Sequence, residues 1–157
     1  VAVLTGDETE ADLELLADDV YLYFGMGCRN ITKIYVPKDY DFLPLINIFK
    51  KYEYLADHHK YKNNYDYNLA LHILNNKIYM SNAALLLVED ANIFSPVSQL
   101  NYETYENVEQ VKQELRDNDS VQCIVGKEFI TFGAAQHPAL TDYADGVDTM
   151  RWLESLN

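Results

Sequence analysis

Residues 23–37 read Tyr23-Phe24-Gly25-Met26-Gly27-Cys28-Arg29-Asn30-Ile31-Thr32-Lys33-Ile34-Tyr35-Val36-Pro37. A segment with helical periodicity runs into this stretch, and Gly25 is expected to end it, because glycine tolerates the backbone conformations that close a helix. The β-branched and apolar residues that follow predict a strand over 32–36, which Pro37 ends. Cys28 therefore lies at a junction between a helix and a strand.

The local pattern around Cys28 allows two interpretations. Gly25 and Gly27 leave room for a substrate beside the sulfur, which favours a reactive thiol facing a cleft. Alternatively, Gly25 is a helix C-cap and Cys28 is a small buried core residue. Thiolate character and exposure decide between the two, and the local pattern shows neither.

The rest of the chain alternates between extended and helical patterns. Strands are predicted at 1–4, 32–36, 83–88, 97–102 and 121–125, with a further extended segment at 127–132. Helices are predicted at 10–24, 39–55, 68–74, 108–115 and 148–156. This alternation predicts an α/β fold with a mostly parallel sheet covered by helices, and residues 1–157 are predicted to form a single domain.

Side-chain spacing within these elements predicts what is buried. The first helix, with Asp7 or Thr9 as its N-cap, carries one apolar face formed by Leu13, Leu16, Ala17, Val20 and Phe24. In the helix at 68–74, Leu71 and Leu74 are expected to point inward. The tyrosine-rich stretch 61–67 is interpreted as a solvated helix entrance or, alternatively, as an aromatic wall facing a substrate. Cys123 lies in the apolar strand 121–125 and is expected to be a buried thiol.

The composition excludes several classes of partner. The formal net charge of −13, from 25 acidic and 12 basic residues, argues against nucleic acid and against anionic membrane surfaces. No apolar run approaches the ~18 residues that a membrane helix needs. The two cysteines, Cys28 and Cys123, are too few for a disulfide scaffold, so a reducing, cytoplasmic setting is expected.

Metal and hydrolase patterns are weak. His58 and His59 are adjacent and point about 100° apart on a helix, and no further ligand follows at useful spacing, so no metal site is expected. The chain contains no Gly-x-Ser-x-Gly elbow and no phosphate-binding glycine pattern. A Cys-His hydrolase that pairs Cys28 with His58, His59, His72 or His137 stays open, because such pairs are spatial and not sequential.

Three segments resemble one known family. Residues 25–36 resemble the nucleophile segment of the aldehyde dehydrogenase superfamily, in which a Gly-x-x-Cys turn leads into a strand. Residues 92–97, Asn92-Ile93-Phe94-Ser95-Pro96-Val97, resemble its Glu-Ile-Phe-Gly-Pro-Val motif. The branch most similar to this chain is the acyl-CoA reductases, including the long-chain fatty acyl-CoA reductase of bioluminescence and small bacterial members. The resemblance to the small bacterial members extends to residues 144–150, Ala144-Asp145-Gly146-Val147-Asp148-Thr149-Met150.

The resemblance implies roles for three residues. Cys28 would be the nucleophile that forms an acyl-enzyme, with its own backbone N–H holding part of the oxyanion. Asn92 and Phe94 would bind the nicotinamide side of a cofactor, although Asn92 stands where the family has an acid and Ser95 where it has glycine. Glu89 is a displaced substitute for the acid. The alternative for 92–97 is a proline-stiffened turn between strands.

The resemblance also implies partners and an incomplete enzyme. It covers only the cysteine-bearing catalytic domain, so a nucleotide-binding domain and the superfamily's general-base glutamate would precede Val1. The implied substrate is an acyl-CoA, the cofactor NADH or NADPH, and the assembly a homo-oligomer. The competing hypothesis is a non-enzymatic binding or oligomerisation domain that keeps the fold.

Overall fold

A computed structural model describes residues 1–116, 118–143 and 146–156. The strands are β1 (Ala2–Val3), β2 (Lys33–Pro37), β3 (Tyr79–Ser81), β4 (Leu86–Glu89) and β5 (Gln99–Tyr105). The α-helices are α1 (Glu10–Tyr21), α2 (Phe42–Ile48), α3 (His59–Leu74), α4 (Val108–Arg116) and α5 (Thr149–Glu154). Two 3₁₀ segments cover Leu22–Gly25 and Phe49–Asp57. Asp117 and Asn157, together with Ala144 and Asp145 of the third resembling segment, lie outside the described residues.

The strands form one sheet in the order β1-β2-β5-β4-β3. All neighbouring pairs are parallel except β3 and β4, which are antiparallel. Strands β2 and β4 are buried along most of their length, whereas the middle strand β5, with its mixed polar and apolar sequence, is only partly buried. The predicted α/β fold, a mostly parallel sheet covered by helices, is therefore confirmed.

The first helix follows its sequence pattern closely. Thr9 is the N-cap, and its side chain and that of Asp12 form a reciprocal capping box. Four of the five residues predicted to share its apolar face are buried, namely Leu13, Leu16, Ala17 and Val20. The helix ends at Tyr21 rather than at residue 24, because Tyr23 and Phe24 both take positive φ values.

The predicted strand at 121–125 was wrong, as was the extended segment at 127–132. Only Val125 and Ile130 form isolated bridges there. The backbone of Val125 does lie beside β1, receiving a hydrogen bond from Val3 and donating one to Val1. A longer ladder does not form because β1 has only two residues to offer and Gly126 turns the chain away.

The third helix is longer than predicted and buries a different face. It begins at His59, so the tyrosine-rich stretch is helix, and Leu71 and Leu74 are exposed, at 38% and 76%. The buried stripe is instead Tyr61, Tyr65, Asn68 and His72. The buried tyrosines have hydrogen-bond partners for their hydroxyl groups. The Tyr61 hydroxyl donates to Ala84 O at 2.9 Å, and the Tyr65 hydroxyl is hydrogen-bonded to Ser81 Oγ at 2.6 Å.

Two smaller boundaries also differ from the prediction. The helix predicted at 39–55 divides into α2 and a 3₁₀ segment, and the short strand β3 was not predicted. Across the described ranges, none of the helices has the length and apolar character needed to cross a membrane.

Candidate functional site around Cys28

Cys28 lies in a turn at the edge of the sheet where β2 begins. The turn spans residues 27–30, and the backbone N–H of Asn30 donates to Gly27 O at 3.0 Å. Cys28 is exposed. It lines a hollow of about 220 Å³ together with Phe94, Thr32 and Cys123. Cys28 and Phe94 belong to different resembling segments, and the fold brings them to the same hollow.

Phe94 reaches this edge because of how β4 connects to β5. The two strands are parallel neighbours, so residues 90–98 must run back along the sheet before β5 can begin. We call residues 90–98 the return loop. Two polar side chains, one just before β2 and one in β5, hold its backbone. Thr32 Oγ1 donates to Ile93 O at 2.7 Å, and Asn101 Nδ2 donates to Asn92 O at 3.0 Å.

Lys33 also holds the return loop, and it does so with a charged group that is buried. Its side chain is 1% exposed, and its Nζ donates to Ala91 O at 2.7 Å. The same atom lies 2.6 Å from Glu103 Oε2, whose side chain is 47% exposed. A buried ammonium group is costly unless it is paired and hydrogen-bonded, and here both conditions hold. The charge therefore anchors the loop next to the hollow.

Asn92, unlike Phe94, does not border the hollow beside Cys28. It is exposed, and its amide Nδ2 donates to Asp90 Oδ1 at 2.6 Å. Asp90 also receives Lys77 Nζ at 2.7 Å, and these bonds, that from Lys77 foremost, lower the pKa of Asp90 to about 2. The structure thus places Phe94 at the hollow and turns the Asn92 amide nitrogen toward Asp90. Glu89, the displaced substitute, is an exposed residue that ends β4.

A larger groove meets the hollow at Cys28. It measures about 880 Å³ and is bordered by the end of α4 and by parts of residues 118–143. Apolar side chains such as Leu115 and Ile124 line it together with two guanidinium groups, those of Arg29 and Arg116. Ligand sites are commonly 300–1,000 Å³ with mostly apolar walls and a few polar groups. Cys28 therefore borders both spaces.

The two cysteines differ in environment as predicted. Cys123 is 5% exposed, and burial raises the pKa of its thiol. Cys28 is exposed. The alternative in which Cys28 is a buried core residue is therefore wrong.

A buried carboxylate secures the segment that borders the groove. Asp19 of α1 is fully buried and accepts hydrogen bonds from the backbone N–H groups of Gly133 and Ala135, at 2.7 and 3.0 Å. Burial raises the pKa of Asp19, and the two N–H donors oppose that shift. Arg29 Nε donates to Ala135 O at 2.6 Å, so the residue after Cys28 is tied to the same segment.

Two of the four histidines contact residues that line neither the hollow nor the groove. His58 packs edge-on against Phe24, with ring centroids 5.0 Å apart, and His72 bonds Gln99 at 2.7 Å. The described lining of the hollow and the groove contains no histidine, which gives the Cys-His hydrolase alternative no support. Among the described residues there is also no group of three or more His, Cys, Asp or Glu side chains that could hold a metal ion.

Sequence reasoning named Cys28 and Phe94 as candidates, and it did not name Asn30, Lys33 and Asn101, which hold the turn and the return loop that carry them. One signal was available for Lys33, a charged residue inside an apolar strand sequence. The asparagines carry no comparable signal, since this residue type is common in ordinary turns. No protein-family model and no curated protein matches the chain.

Proposed function

We propose that this chain is the cysteine-bearing catalytic domain of an NAD(P)H-dependent acyl-CoA reductase related to the aldehyde dehydrogenase superfamily. One observation carries the proposal: Cys28 and Phe94 line the same hollow. These are the nucleophile and the cofactor-side aromatic residue of two separate resembling segments. In an unrelated fold, nothing would require the two segments to meet.

The chemistry assigned to Cys28 is acyl transfer. Its thiolate attacks the thioester carbonyl of the acyl-CoA, a tetrahedral oxyanion forms, and the carbon–sulfur bond to CoA breaks. The acyl group is then bound to Cys28 as a thioester, and CoA leaves as a thiolate that takes up a proton. The backbone N–H of Cys28 has no hydrogen-bond acceptor within the described part of the chain, so it is available to the oxyanion.

The exposed ring of Phe94 fits a nicotinamide on the hollow side of the thiol. The ring is 65% exposed and borders the hollow, where it offers a flat apolar surface. NADH or NADPH, when bound, supplies the hydride that converts the acyl-cysteine to the aldehyde. In this proposal the dinucleotide is held mainly by a domain that precedes Val1, and Asn92 contributes its Oδ1 acceptor to the ribose.

Acyl transfer can be tested on this chain without cofactor. Incubation with a series of saturated acyl-CoA esters should add one acyl group to the peptide that contains Cys28, as read by intact-protein and peptide mass spectrometry. Cys28→Ala should abolish the adduct, and Cys123→Ala is the matched control that should retain it. An adduct on Cys123, or none on Cys28 in the folded wild type, would refute acyl transfer.

A binding or oligomerisation domain without catalysis is the second candidate. The observation that favours it is the exposed apolar surface of α5, where Met150, Trp152 and Leu153 are 69%, 53% and 47% exposed. A homo-oligomer in a bacterial cytoplasm is compatible with both candidates. Stable self-association combined with no acylation of Cys28 would favour the second.

A further inference from the structure

The backbone just before Cys28 is held in an unfavourable conformation. Tyr23, Phe24 and Gly25 follow one another with φ values of 56°, 60° and 70°. Residues with side chains rarely adopt this left-handed region, and a run of them is costly. Such conformations persist only where the surrounding structure fixes them.

Asn30 bonds the backbone immediately before this segment through its amide nitrogen. The residue is 6% exposed. Its Nδ2 donates to Asp19 O at 2.9 Å, to Val20 O at 3.1 Å and to Leu22 O at 2.9 Å. These carbonyls lie at the end of α1, where the helix leaves acceptors without intrahelical partners. One side chain therefore holds the backbone at the end of α1, directly before the strained residues.

The amide oxygen of the same side chain holds the turn that carries the thiol. Asn30 Oδ1 accepts a hydrogen bond from the N–H of Gly27 at 2.7 Å, and the Asn30 N–H donates to Gly27 O at 3.0 Å. Cys28 and Arg29 are enclosed between these two bonds. A Cβ atom at position 27 would lie 2.7 Å from Asn30 Oδ1, so the contact requires glycine there.

We propose that Asn30 is a positioning residue that orients Cys28 for acyl transfer, an inference that rests on the proposed function. The nitrogen and the oxygen of its side-chain amide bind different parts of the backbone. The Nδ2 atom fixes the end of α1, the Oδ1 atom fixes the turn, and Cys28 is thereby held at a set position relative to the helix. Asn30 acts through Gly27 and the helix carbonyls, not by contact with the reacting atoms.

The test compares two reactions of the same thiol. In Asn30→Ala the acyl transfer rate to Cys28 should fall about 10- to 100-fold, since small misplacements of a reacting group have effects of this size. Alkylation of Cys28 by iodoacetamide needs only an exposed thiol and should change less than about threefold. Asn82→Ala removes a similarly buried asparagine, 8% exposed, whose side-chain hydrogen bonds in the described part of the chain reach neither the turn nor the return loop, and should leave both rates unchanged. Equal changes in the two reactions would overturn the positioning role.

Gly27→Ala provides a second, independent perturbation of the same contact. Alone it should slow acyl transfer, because the new methyl group displaces Asn30 Oδ1. Added to Asn30→Ala it should cost little more, since the displaced atom is already gone. Additive losses in the double variant would contradict the proposal.

A third measurement separates this inference from the proposed function. The Gly27 N–H should exchange with deuterium at least about 10-fold faster in Asn30→Ala than in the wild type, because its acceptor is lost. Unchanged exchange would overturn the positioning role whether or not acyl transfer occurs. Faster exchange without any acyl transfer by the wild type would leave Asn30 as the residue that holds the turn and would refute the reductase proposal.

Discussion

The carboxylate of Asp19 accepts a hydrogen bond from the backbone N–H of Ala135 at 3.0 Å. This bond joins the first helix to a segment that is remote in sequence and borders the groove beside Cys28. Arg29, in the turn that carries Cys28, also bonds Ala135. Hydrogen bonds therefore connect α1, this turn and the segment around Ala135 into one unit. The stability of this unit can be measured separately from any activity.

Removal of the Asp19 carboxylate should destabilise the fold. Asp19→Ala leaves the buried N–H of Ala135 and the partly buried N–H of Gly133 without their acceptor, so the free energy of unfolding should fall by about 1–3 kcal/mol. Urea unfolding monitored by circular dichroism measures this change. Asp66→Ala is the control, because Asp66 is half-exposed and paired only with Lys62, and its loss should cost less than about 1 kcal/mol. Equal effects of the two substitutions would contradict the proposed importance of Asp19.

The ion pair between Lys77 and Asp90, at the start of the return loop, predicts a dependence of stability on pH. The pKa of Asp90 is lowered from its ordinary 3.8 to about 2, chiefly by Lys77. Its stabilising contribution should therefore be complete above about pH 4 and should be lost as the pH falls through about 2. The difference in unfolding free energy between wild type and Asp90→Asn should shrink over that window.

Lys77→Met is the matched variant for this measurement. It removes the main cause of the lowered pKa, so most of the pH-dependent difference should disappear with it. Because the Lys77 side chain is 46% exposed, solvent screens the pair and the effect should be modest. A difference between wild type and Asp90→Asn that stays constant down to about pH 2 would contradict the assignment.

The elements with clear periodicity could be predicted from the sequence. The apolar positions of α1 and the uninterrupted apolar sequence of β4 depend on local spacing, and both are buried as predicted. The stripe of α3 could not be predicted in the same way, because Tyr61 and Tyr65 are polar at one end. Their burial depends on partners at Ala84 and Ser81, whose proximity only the fold provides.

The residues of the candidate site also differ in whether the sequence indicates them. Cys28 and Phe94 could be named as candidates from short sequence patterns. Among the other residues, Lys33 has a signal, as a charge inside an apolar strand sequence, but Asn30 and Asn101 have none. The last three act through hydrogen bonds to backbone carbonyls, and a carbonyl has no sequence signature. The bonds of Lys33 and Asn101 also reach residues of the return loop, whose path is set by the parallel pairing of β4 and β5. A sequence pattern can therefore suggest the reacting group without identifying the residues that position it.

The side chain of Phe94 should matter for catalysis and not for stability. The ring is 65% exposed, so Phe94→Ala should change the free energy of unfolding by less than about 0.5 kcal/mol. In the complete enzyme it should slow hydride transfer more than acylation of Cys28, because it disturbs the cofactor side of the thiol. Single-turnover kinetics can separate the two steps.

A buried phenylalanine provides the contrast. Phe132 is 8% exposed, and Phe132→Ala should cost about 3–5 kcal/mol by leaving a cavity. If Phe94→Ala impaired acylation and hydride transfer equally, the 92–97 segment would be a turn that supports the fold and not a cofactor contact.

The last prediction concerns the two thiols, which line one hollow but differ in exposure. Cys28 is exposed, whereas Cys123 is 5% exposed and has its pKa raised by burial. In the folded protein iodoacetamide should label Cys28 at least about 100-fold faster than Cys123, since a buried thiol reacts mainly through opening of the structure. Peptide mass spectrometry of time points gives both rates. Cys28→Ser should remove the fast phase, Cys123→Ser should retain it, and denaturant should make the two thiols react alike. Comparable labelling of both cysteines in the folded chain would refute the burial of Cys123 and, with it, the assignment of Cys28 as the reactive thiol.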